Sequence, residues 1–532
     1  MLPPFESQIL ADVGIAFGDE GKGRLVSELI HEVRQQTGRD APVEMVLKVN
    51  GGANSGHTAG GLKLNLLPGG VIEPTVRYLG IGSGVVADPR KLLWETRTTE
   101  SKGFPVRNRL LIDERTMVSD LTHRLLDLAW ESYRANVLGE PARGSTGRGI
   151  TPAFADEVSQ WQFFYADFRA DRATFSRRLQ QRVRRALDTI RHVCRIHPDQ
   201  WFEMFEQLTI AETRANQESI SSGVFPVEEF DFHRFSTKEP FEINFNELES
   251  VYWTTGSAWV DRVVDLRESI LDLLDRGQYL IGEFGQSYWL DKRHGYTPNV
   301  TASHTFTPEL FQSAGIPVCP VQTFGVAKAY DTKVGTHLFL TQIEPDHPLG
   351  EALAKIEFGT STGRQRMVGW FDAVEKGTAL RYGGFNDLIL NKLDALRWDN
   401  LASPPIKLKI CYAYEEPSGK IYFQVPRDDS LRCKLKPLYL ELEPWAEDIS
   451  TIRNYRDLPP AARVYVATCV ATLLYCSGPK NFQNPTLNLR YIGVGPDPEE
   501  IIASIPPLPE ILEEADFPAD LRPLAPLPRT LE

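Results

Sequence analysis

A short segment near the start of the chain combines glycines with a carboxylate and an ammonium group. Residues 18–23, Gly-Asp-Glu-Gly-Lys-Gly, follow an apolar run at 8–15 and precede an amphipathic run at 24–33. Glycines let backbone N–H groups approach phosphate oxygens, and the N-terminus of a helix adds a positive end. The segment lacks the Ser or Thr that follows Gly-Lys in a Walker A loop. Taken alone, it is compatible with a phosphate-binding loop around Lys22 and with a solvated glycine-rich turn.

A second glycine-dense loop, at 51–58, also follows a strand-like run, at 45–49, and it contains His57. If the two preceding strands are neighbours in a parallel sheet, their ends bring His57 close to Asp19. A carboxylate and an imidazole beside a phosphate can act as an acid–base pair. The second loop therefore favours the phosphate-binding interpretation of the first.

Two later motifs suit the other ligands of a nucleotide enzyme. Residues 391–394, Asn-Lys-Leu-Asp, form the Asn-Lys-x-Asp pattern that recognises guanine in GTP-binding proteins, although a helix cap after a strand is the alternative. Residues 361–366, Ser-Thr-Gly-Arg-Gln-Arg, place two arginines in a Gly/Thr loop. Arginine binds carboxylates bidentately, so this loop can hold a small dicarboxylate, whereas solvated arginines on a surface turn are the alternative.

The elements around these motifs follow an α/β order. Strand-like runs precede both glycine loops, and further strands are predicted at 279–283, 322–330 and 407–414. An amphipathic helix is predicted at 263–276, ending at Gly277. We expect a P-loop-like α/β fold with a mostly parallel central sheet flanked by helices, because such sheets bind phosphates at their strand ends.

The chain is expected to contain one catalytic domain, at 1–488, and a Pro-rich C-terminal extension, at 489–532. Within the domain, 163–260 is predicted to be a mostly helical insertion. Apolar residues at helical spacing predict that the arginines of 169–195 form a solvated helix face. Prolines and acidic residues predict an extended, weakly structured tail from about residue 496.

Composition limits the class of protein. A formal net charge of -13 argues against general binding to nucleic acid or to an anionic membrane. The six cysteines are scattered, and neither a secretory signal nor an apolar run long enough to span a bilayer is present in the sequence. We therefore expect a cytoplasmic protein with reduced cysteines.

The motifs, in this order, resemble the adenylosuccinate synthetase family. The resemblance implies an enzyme that joins L-aspartate to C6 of IMP through a 6-phosphoryl intermediate and uses GTP, with Mg²⁺ as cofactor and a homodimer as the usual assembly. Matching stretches are spread over most of the first 480 residues, at 18–23, 51–58, 64–70, 80–86, 145–152, 286–301, 328–335, 357–370, 391–394 and 476–479. The insertion at 163–260 and the C-terminal extension are expected to have no counterpart in typical members of the family.

The resemblance also implies roles for individual residues. The catalytic residues are Asp19, His57 and Lys22, and the metal site is formed by Asp19 and Gly56. The acceptor nucleotide is held by Asn54, Thr146, Gln286, Thr301, Val334 and Arg364, and L-aspartate by Thr362, Arg364 and Arg366. GTP is held by Gly21, Lys22, Gly23, Gly56, Thr58, Lys392, Asp394, Gly478 and Pro479.

One departure from the family pattern concerns the dimer. Gln160 stands where the family usually carries an arginine that reaches the nucleotide phosphate across the dimer interface. Glutamine cannot supply that charge, and Arg169 and Arg172 are the candidates to replace it.

Two alternatives stay open at this point. The first is a specialised relative that uses GMP, dGMP or another purine nucleotide, with either GTP or ATP, in nucleotide modification, phage-related or secondary metabolism. The retained Asp19 favours a hypoxanthine acceptor over it. The second is a catalytically weak nucleotide-sensing module, against which Asp19, Lys22 and His57 argue, since a sensor need not keep acid–base groups.

Overall fold

Ten strands form one sheet through the described residues, which are 3–333, 337–358, 365–398, 406–478, 481 and 486–518 of this computed structural model. The first nine strands of the sheet pair in parallel, and the last pairs antiparallel. In sheet order they are Val263–Val264 (β11), Leu110–Asp113 (β8), Tyr78–Ile81 (β6), Val43–Lys48 (β2), Tyr279–Ser287 (β12), Ile9–Gly14 (β1), Gln322–Lys328 (β13), Asp387–Asn391 (β17), Asn488–Gly493 (β21) and Ile501–Ile502 (β22). The predicted α/β class with a mostly parallel sheet is confirmed.

The other strands build four small sheets beside the central one. They are Gly51–Gly52 (β3), His57–Ala59 (β4), Leu62–Leu64 (β5), Val85–Ala87 (β7), Met117–Val118 (β9), Phe163–Phe164 (β10), Asp331–Lys333 (β14), Met367–Gly369 (β15), Phe371–Asp372 (β16), Leu408–Glu415 (β18), Ile421–Tyr422 (β19) and Lys436–Leu442 (β20).

The α-helices connect these strands. They are Lys22–Thr37 (α1), Pro89–Ser101 (α2), Leu121–Tyr133 (α3), Ile150–Val158 (α4), Arg172–Asp188 (α5), Pro198–Ala215 (α6), Gln217–Ser221 (α7), Phe245–Ser257 (α8), Leu266–Asp275 (α9), Pro308–Ala314 (α10), Pro348–Ala354 (α11), Ala373–Gly383 (α12), Asp429–Arg432 (α13), Pro460–Ser477 (α14) and Leu508–Glu513 (α15).

Strand β1 lies at the centre of the sheet and is buried along its whole length. Its alternate residues face opposite sides: Ile9, Ala11 and Val13 join one hydrophobic core, which includes α14, and Leu10 joins the other, which includes α1. Because parallel strands covered on both faces must be apolar throughout, β1 is a continuous apolar run apart from Asp12. The Asp12 carboxylate accepts a hydrogen bond from the Phe284 backbone at 2.8 Å.

The segment 163–260 folds mostly into helices, α5 to α8. The expectation that its arginines form a solvated face is wrong for Arg182 on α5. This side chain is buried, and its guanidinium lies 2.9 Å from Asp120 and 3.5 Å from Asp156. Two carboxylates distant in sequence compensate its charge, so the helix can bury it.

The C-terminal part is packed where extended chain was predicted. Strand β21 belongs to the central sheet, so a domain boundary after residue 488 would separate it from its neighbours. Helix α15 buries Leu508 and Ile511 against the core that contains α14. The division into a catalytic domain and an extension stays a prediction, and residues 519–532 lie outside the described part of the chain.

The six cysteines carry free thiols, and four of them are buried. Of the helices in the described ranges, none has the length and apolar character needed to cross a bilayer.

Candidate active site

Five neighbouring strands deliver several of the predicted site residues to one edge of the sheet. Strands β2, β12, β1, β13 and β17 are adjacent and parallel, so their carboxyl ends meet at the same edge. The expectation that β1 and β2 are neighbours is wrong, because β12 lies between them. His57 therefore lies against Glu283 of β12, and no contact joins it to Asp19 among the described residues.

The glycine loop between β1 and α1 adopts left-handed backbone conformations that glycine permits. Gly18 has φ 99°, Asp19 has φ 63° and Gly21, the residue before α1, has φ 86°. The Asn391 side chain donates to the Glu20 carbonyl oxygen at 2.7 Å and packs over Gly21. This contact joins the glycine loop to the predicted guanine-recognising loop.

Lys22 is buried at the start of α1 and has two partners in this structure. Its Nζ lies 2.9 Å from a Glu20 carboxylate oxygen and donates to the Gln286 carbonyl oxygen at 2.7 Å. Burial lowers the pKa of Lys22, but the Glu20 and Asp12 carboxylates outweigh burial and raise it. The lysine is therefore a fixed cation beside the glycine loop.

Asp19 contacts the predicted aspartate-binding loop. Its carboxylate lies 2.5 Å from the guanidinium of Arg366, which is buried, whereas the Asp19 side chain is 27% exposed. Burial raises the pKa of Asp19, against the opposing effects of Arg366 and Lys328. A carboxylate with a raised pKa beside the glycine loop can accept a proton from a bound ligand.

Glu357 lies at the centre of a buried ionic cluster behind Asp19. Its carboxylate binds Lys328 at 3.0 Å, Lys392 at 2.7 Å and Arg366 at 2.6 Å, and it accepts a hydrogen bond from Tyr330 at 2.5 Å. Burial favours a high pKa for Glu357, but Lys328 and Lys392 lower it to about 2. Burial lowers the pKa of Lys328 to about 8, although Glu357 opposes this.

His57 is neutral at pH 7, because burial lowers its pKa to about 4. Its Nε2 lies 3.0 Å from a Glu283 oxygen but is too poorly aligned for a hydrogen bond. Burial favours a high pKa for Glu283, yet His57 and Lys48 lower it to about 2. A Cβ atom at Gly23 would lie 2.2 Å from the Thr58 carbonyl oxygen, so the two glycine loops pack closely only with glycine there.

The residues predicted to hold the acceptor nucleotide are partly brought together. Asn54 donates to Thr301 at 3.5 Å, and Gln286 donates to Ser55 at 2.9 Å. The Gln286 side-chain oxygen is buried with no hydrogen-bond partner among the described residues, so it is free to accept from a ligand. Thr146 is exposed, four residues before α4. The remaining members of these sets, Val334, Thr362, Arg364 and Pro479, lie outside the described residues.

The predicted guanine pocket is only partly assembled by contacts in this structure. One Asp394 carboxylate oxygen is buried and has no hydrogen-bond partner in the described ranges, and burial raises the pKa of this residue. Gly478 ends α14 with φ 112° and lies against Arg381. No contact between described residues joins Gly478 to Asp394.

Several charged residues of the site were not assigned roles from the sequence. Lys48, Lys328 and Glu283 each end or interrupt an apolar strand at the edge where the glycine loops lie. A charge at the carboxyl end of an apolar run is a signal that could have identified them. Glu357 has no such signal, because it stands outside the strands and helices.

Neither arginine proposed to replace the charge missing at Gln160 is free. Arg169 lies 3.3 Å from Glu114, and Arg172 lies 2.6 Å from Glu249. Gln160 itself is exposed, with φ 65°, just after α4. Arg169 is thus paired with a carboxylate outside the helical segment 163–260, and Arg172 is paired with one inside it.

The donor groups at the site fit Mg²⁺ as an ion shared between protein and phosphate. The described residues contain no group of three or more His, Cys, Asp or Glu side chains that could enclose a metal. Asp19 and the Gly56 carbonyl group offer oxygens only. Mg²⁺ usually takes one or two carboxylates and completes its shell with water and substrate phosphates.

The family model described as adenylosuccinate synthetase matches residues 12–224 and 227–502, and thus runs through most of the helical segment 163–260. The adenylosuccinate synthetase of Salinibacter ruber is 29% identical over 511 residues, covering 93% of this chain and 98% of the relative. That of Kineococcus radiotolerans is 31% identical over 501 residues, covering 92% and 97%.

A solved structure shows the same fold. The fully ligated adenylosuccinate synthetase from Plasmodium falciparum matches with a TM-score of 0.74 at 22% identity, covering 93% of this chain and 100% of that chain.

Proposed function

Because the chain belongs to the adenylosuccinate synthetase family, we propose that it uses GTP to join L-aspartate to C6 of IMP, giving adenylosuccinate, GDP and phosphate. The 2.5 Å contact between Asp19 and Arg366 carries this proposal. It sets the glycine loop predicted for phosphoryl transfer against the loop predicted to bind aspartate, at the edge of the sheet where ligands of α/β folds bind.

In the first step, the 6-oxygen of the purine attacks the γ-phosphate of GTP and releases GDP. Asp19 accepts the N1 proton of the purine, so that the oxygen becomes the nucleophile. His57, which is neutral because of its low pKa, donates a hydrogen bond to the transferring phosphoryl group. Lys22 offsets the charge of the phosphates, and phosphoryl transfer depends mainly on such positioning and charge stabilisation.

In the second step, the amine of L-aspartate attacks C6 and displaces the phosphate. The new C–N bond forms as the C–O bond to phosphate breaks, and the departing phosphate takes the proton that the amine loses. Arg366, together with Thr362 and Arg364, holds the carboxylates of aspartate. Bidentate pairing of a guanidinium with a carboxylate fixes the direction from which the amine approaches.

The other substrate contacts follow from the loops around the same edge. Asn54, Gln286, Thr301 and Thr146 hold the acceptor nucleotide, and the unpaired oxygen of Gln286 supports this. Lys392 and Asp394 hold the guanine of GTP, and the unpaired oxygen of Asp394 supports that assignment. Gly478 and Pro479 complete the pocket.

Mg²⁺, held by Asp19 and the Gly56 carbonyl group, would neutralise charge on the phosphates of GTP when it is bound. Arg366 contacts Oδ2 of the Asp19 carboxylate in this structure, so the arginine and the metal ion would share that carboxylate.

The active assembly is proposed to be a homodimer. Two apolar side chains next to Gln160 in the chain are exposed: Val158 is 83% exposed and Trp161 is 47% exposed. Exposed apolar side chains in one patch favour association with another protein surface.

The proposal is tested with a substrate panel. Purified protein, Mg²⁺ and L-aspartate are incubated with IMP, dIMP, GMP or dGMP and with GTP or ATP, and the products are identified by mass. Succinylated IMP formed with GTP supports the proposal, whereas a product formed only from GMP or dGMP refutes the proposed acceptor.

A pair of variants tests the mechanism. Asp19→Ala is expected to abolish phosphate release that depends on the acceptor, because the purine then keeps its N1 proton. Asp199→Ala removes an exposed carboxylate of α6 and serves as the matched control. Phosphate release that survives in Asp19→Ala contradicts the assignment of the base.

A further inference from the structure

The buried carboxylate of Glu357 contacts residues from two loops that are predicted to bind different substrates. We propose that Glu357 is a positioning residue that holds Lys392, beside the guanine of GTP, and Arg366, beside L-aspartate, and thereby couples the binding of these two substrates. The inference rests on the proposed function, because that function gives Lys392 and Arg366 their ligands.

The two oxygens of Glu357 divide the contacts between them. Oε1 accepts from Lys392 Nζ at 2.7 Å and from the Tyr330 hydroxyl at 2.5 Å. Oε2 accepts from Arg366 Nη1 at 2.6 Å. Lys328 lies 3.0 Å from both oxygens and so fixes the plane of the carboxylate. A displacement of the donor at one oxygen therefore changes the orientation of the carboxylate at the other.

The positions of the surrounding cations depend on the negative charge of Glu357. Three cations, Lys328, Lys392 and Arg366, surround the Glu357 carboxylate, and Asp19 is the second carboxylate that contacts the group. Glu357 is fully buried, so water does not screen these interactions well. Without its charge, the three cations would repel one another, and Lys392 and Arg366 would leave their present positions.

Arg366 lies between Glu357 and Asp19, the residue proposed to act as the catalytic base. Arg366 spans the distance from Glu357 to Asp19, donating to one carboxylate from each terminal nitrogen. Glu357 thus acts through Arg366 and Lys392, and its loss is expected to alter substrate affinity more than the rate of the chemical step.

The main test compares Glu357→Gln with a control of similar burial. Glu44→Gln removes the charge of a buried carboxylate that pairs with Arg276 and Arg77 at the opposite end of β2, away from the site. Initial rates are measured over a matrix of GTP and L-aspartate concentrations. In the wild type the KM of aspartate should fall on the order of tenfold as GTP becomes saturating. In Glu357→Gln both KM values should rise and that dependence should disappear, whereas Glu44→Gln should behave as the wild type.

A second variant covers the case in which Glu357→Gln does not fold. Lys392→Met changes a side chain that is 37% exposed and removes one end of the link. The proposal requires the KM of L-aspartate to rise in this variant together with the KM of GTP. A rise in the KM of GTP alone would show that Lys392 acts only on the nucleotide and would overturn the proposal.

Equilibrium binding separates failure of this inference from failure of the proposed function. If the wild type makes no succinylated product from any acceptor, the proposed function is wrong. Calorimetric titration of GDP and Mg²⁺, with and without L-aspartate, then decides the inference. A GDP affinity that L-aspartate changes about tenfold in the wild type but not in Glu357→Gln supports it, and equal GDP affinities in the wild type overturn it.

Discussion

Replacing Arg366 by methionine is expected to weaken aspartate binding while the protein still folds. The side chain is buried, and its guanidinium contacts Asp19 at 2.5 Å and Glu357 at 2.6 Å. Methionine keeps much of the volume of the side chain and removes its charge and its donors. The variant therefore isolates what the guanidinium contributes.

The expected magnitudes follow from the partners that remain. A hydrogen bond to a charged group contributes about 1.5–3 kcal/mol, which corresponds to a rise in the KM of L-aspartate of about 10- to 150-fold. Glu357 retains Lys328, Lys392 and Tyr330 as partners, and Asp19 can turn toward water. The free energy of unfolding should therefore fall by only about 1–2 kcal/mol, well short of the ~3–5 kcal/mol lost when a buried charge is left unpaired.

Two assays on the same protein check these values. Product formation by mass spectrometry gives the KM of L-aspartate at saturating GTP and acceptor, and denaturant unfolding gives the stability. Arg276→Met is the matched control, since Arg276 binds the buried Glu44 far from the site. An unchanged KM of L-aspartate in Arg366→Met would refute the role of this arginine in recognising aspartate. A loss of stability large enough to prevent folding would refute the view that Lys328 and Lys392 compensate Glu357.

Four other outcomes are expected. The pKa of Glu357 is about 2 in the folded protein against its ordinary 4.5, so the ionised carboxylate stabilises the folded state by up to about 3 kcal/mol. This stabilisation is present above pH 4.5 and is lost as the pH falls toward 2. Unfolding curves at several pH values should therefore show a weaker dependence of stability on acid in Glu357→Gln than in the wild type. Arg182→Met should lower the free energy of unfolding by about 3–5 kcal/mol, because Asp120 loses its buried partner, while the KM values of the folded enzyme stay unchanged. Gly23→Ala should cost about 1–3 kcal/mol in the same unfolding assay, because the new methyl group collides with the Thr58 carbonyl oxygen. Removal of Mg²⁺ with a chelator should stop phosphate release, and added Mg²⁺ should restore it.

The local elements of the fold could be predicted from the sequence because local pattern determines them. The apolar run before the glycine loop is β1, and the amphipathic run after it is α1, whose buried residues recur at helical spacing. The order of the strands could not be predicted in the same way. Strand β12 enters between β1 and β2 from a distant part of the chain, and no local pattern records that pairing.

Buried charged residues could likewise not be predicted from the sequence. The residue types of the first glycine loop are compatible with phosphate binding and with a solvated turn, and the second glycine loop with His57 favours phosphate binding. Glu357 and Arg182 carry no comparable local signal, because each is buried by virtue of partners that the fold brings from elsewhere. A buried ion pair is a property of two distant segments, and its energy depends on the tertiary structure around both.

The central place of β1 has a consequence for how the protein is made. The strands that flank it, β12 and β13, are translated about 270 and 310 residues later, a delay of roughly 15 s to one minute at typical rates of synthesis. During that interval the ribosome holds a chain in which β1, a strand that is buried along its whole length in the folded protein, has both edges unpaired. The unpaired N–H and C=O groups of such an edge can pair with the strands of other chains. Holding chaperones that bind short apolar segments would therefore act on residues 9–14 before the sheet can close around them.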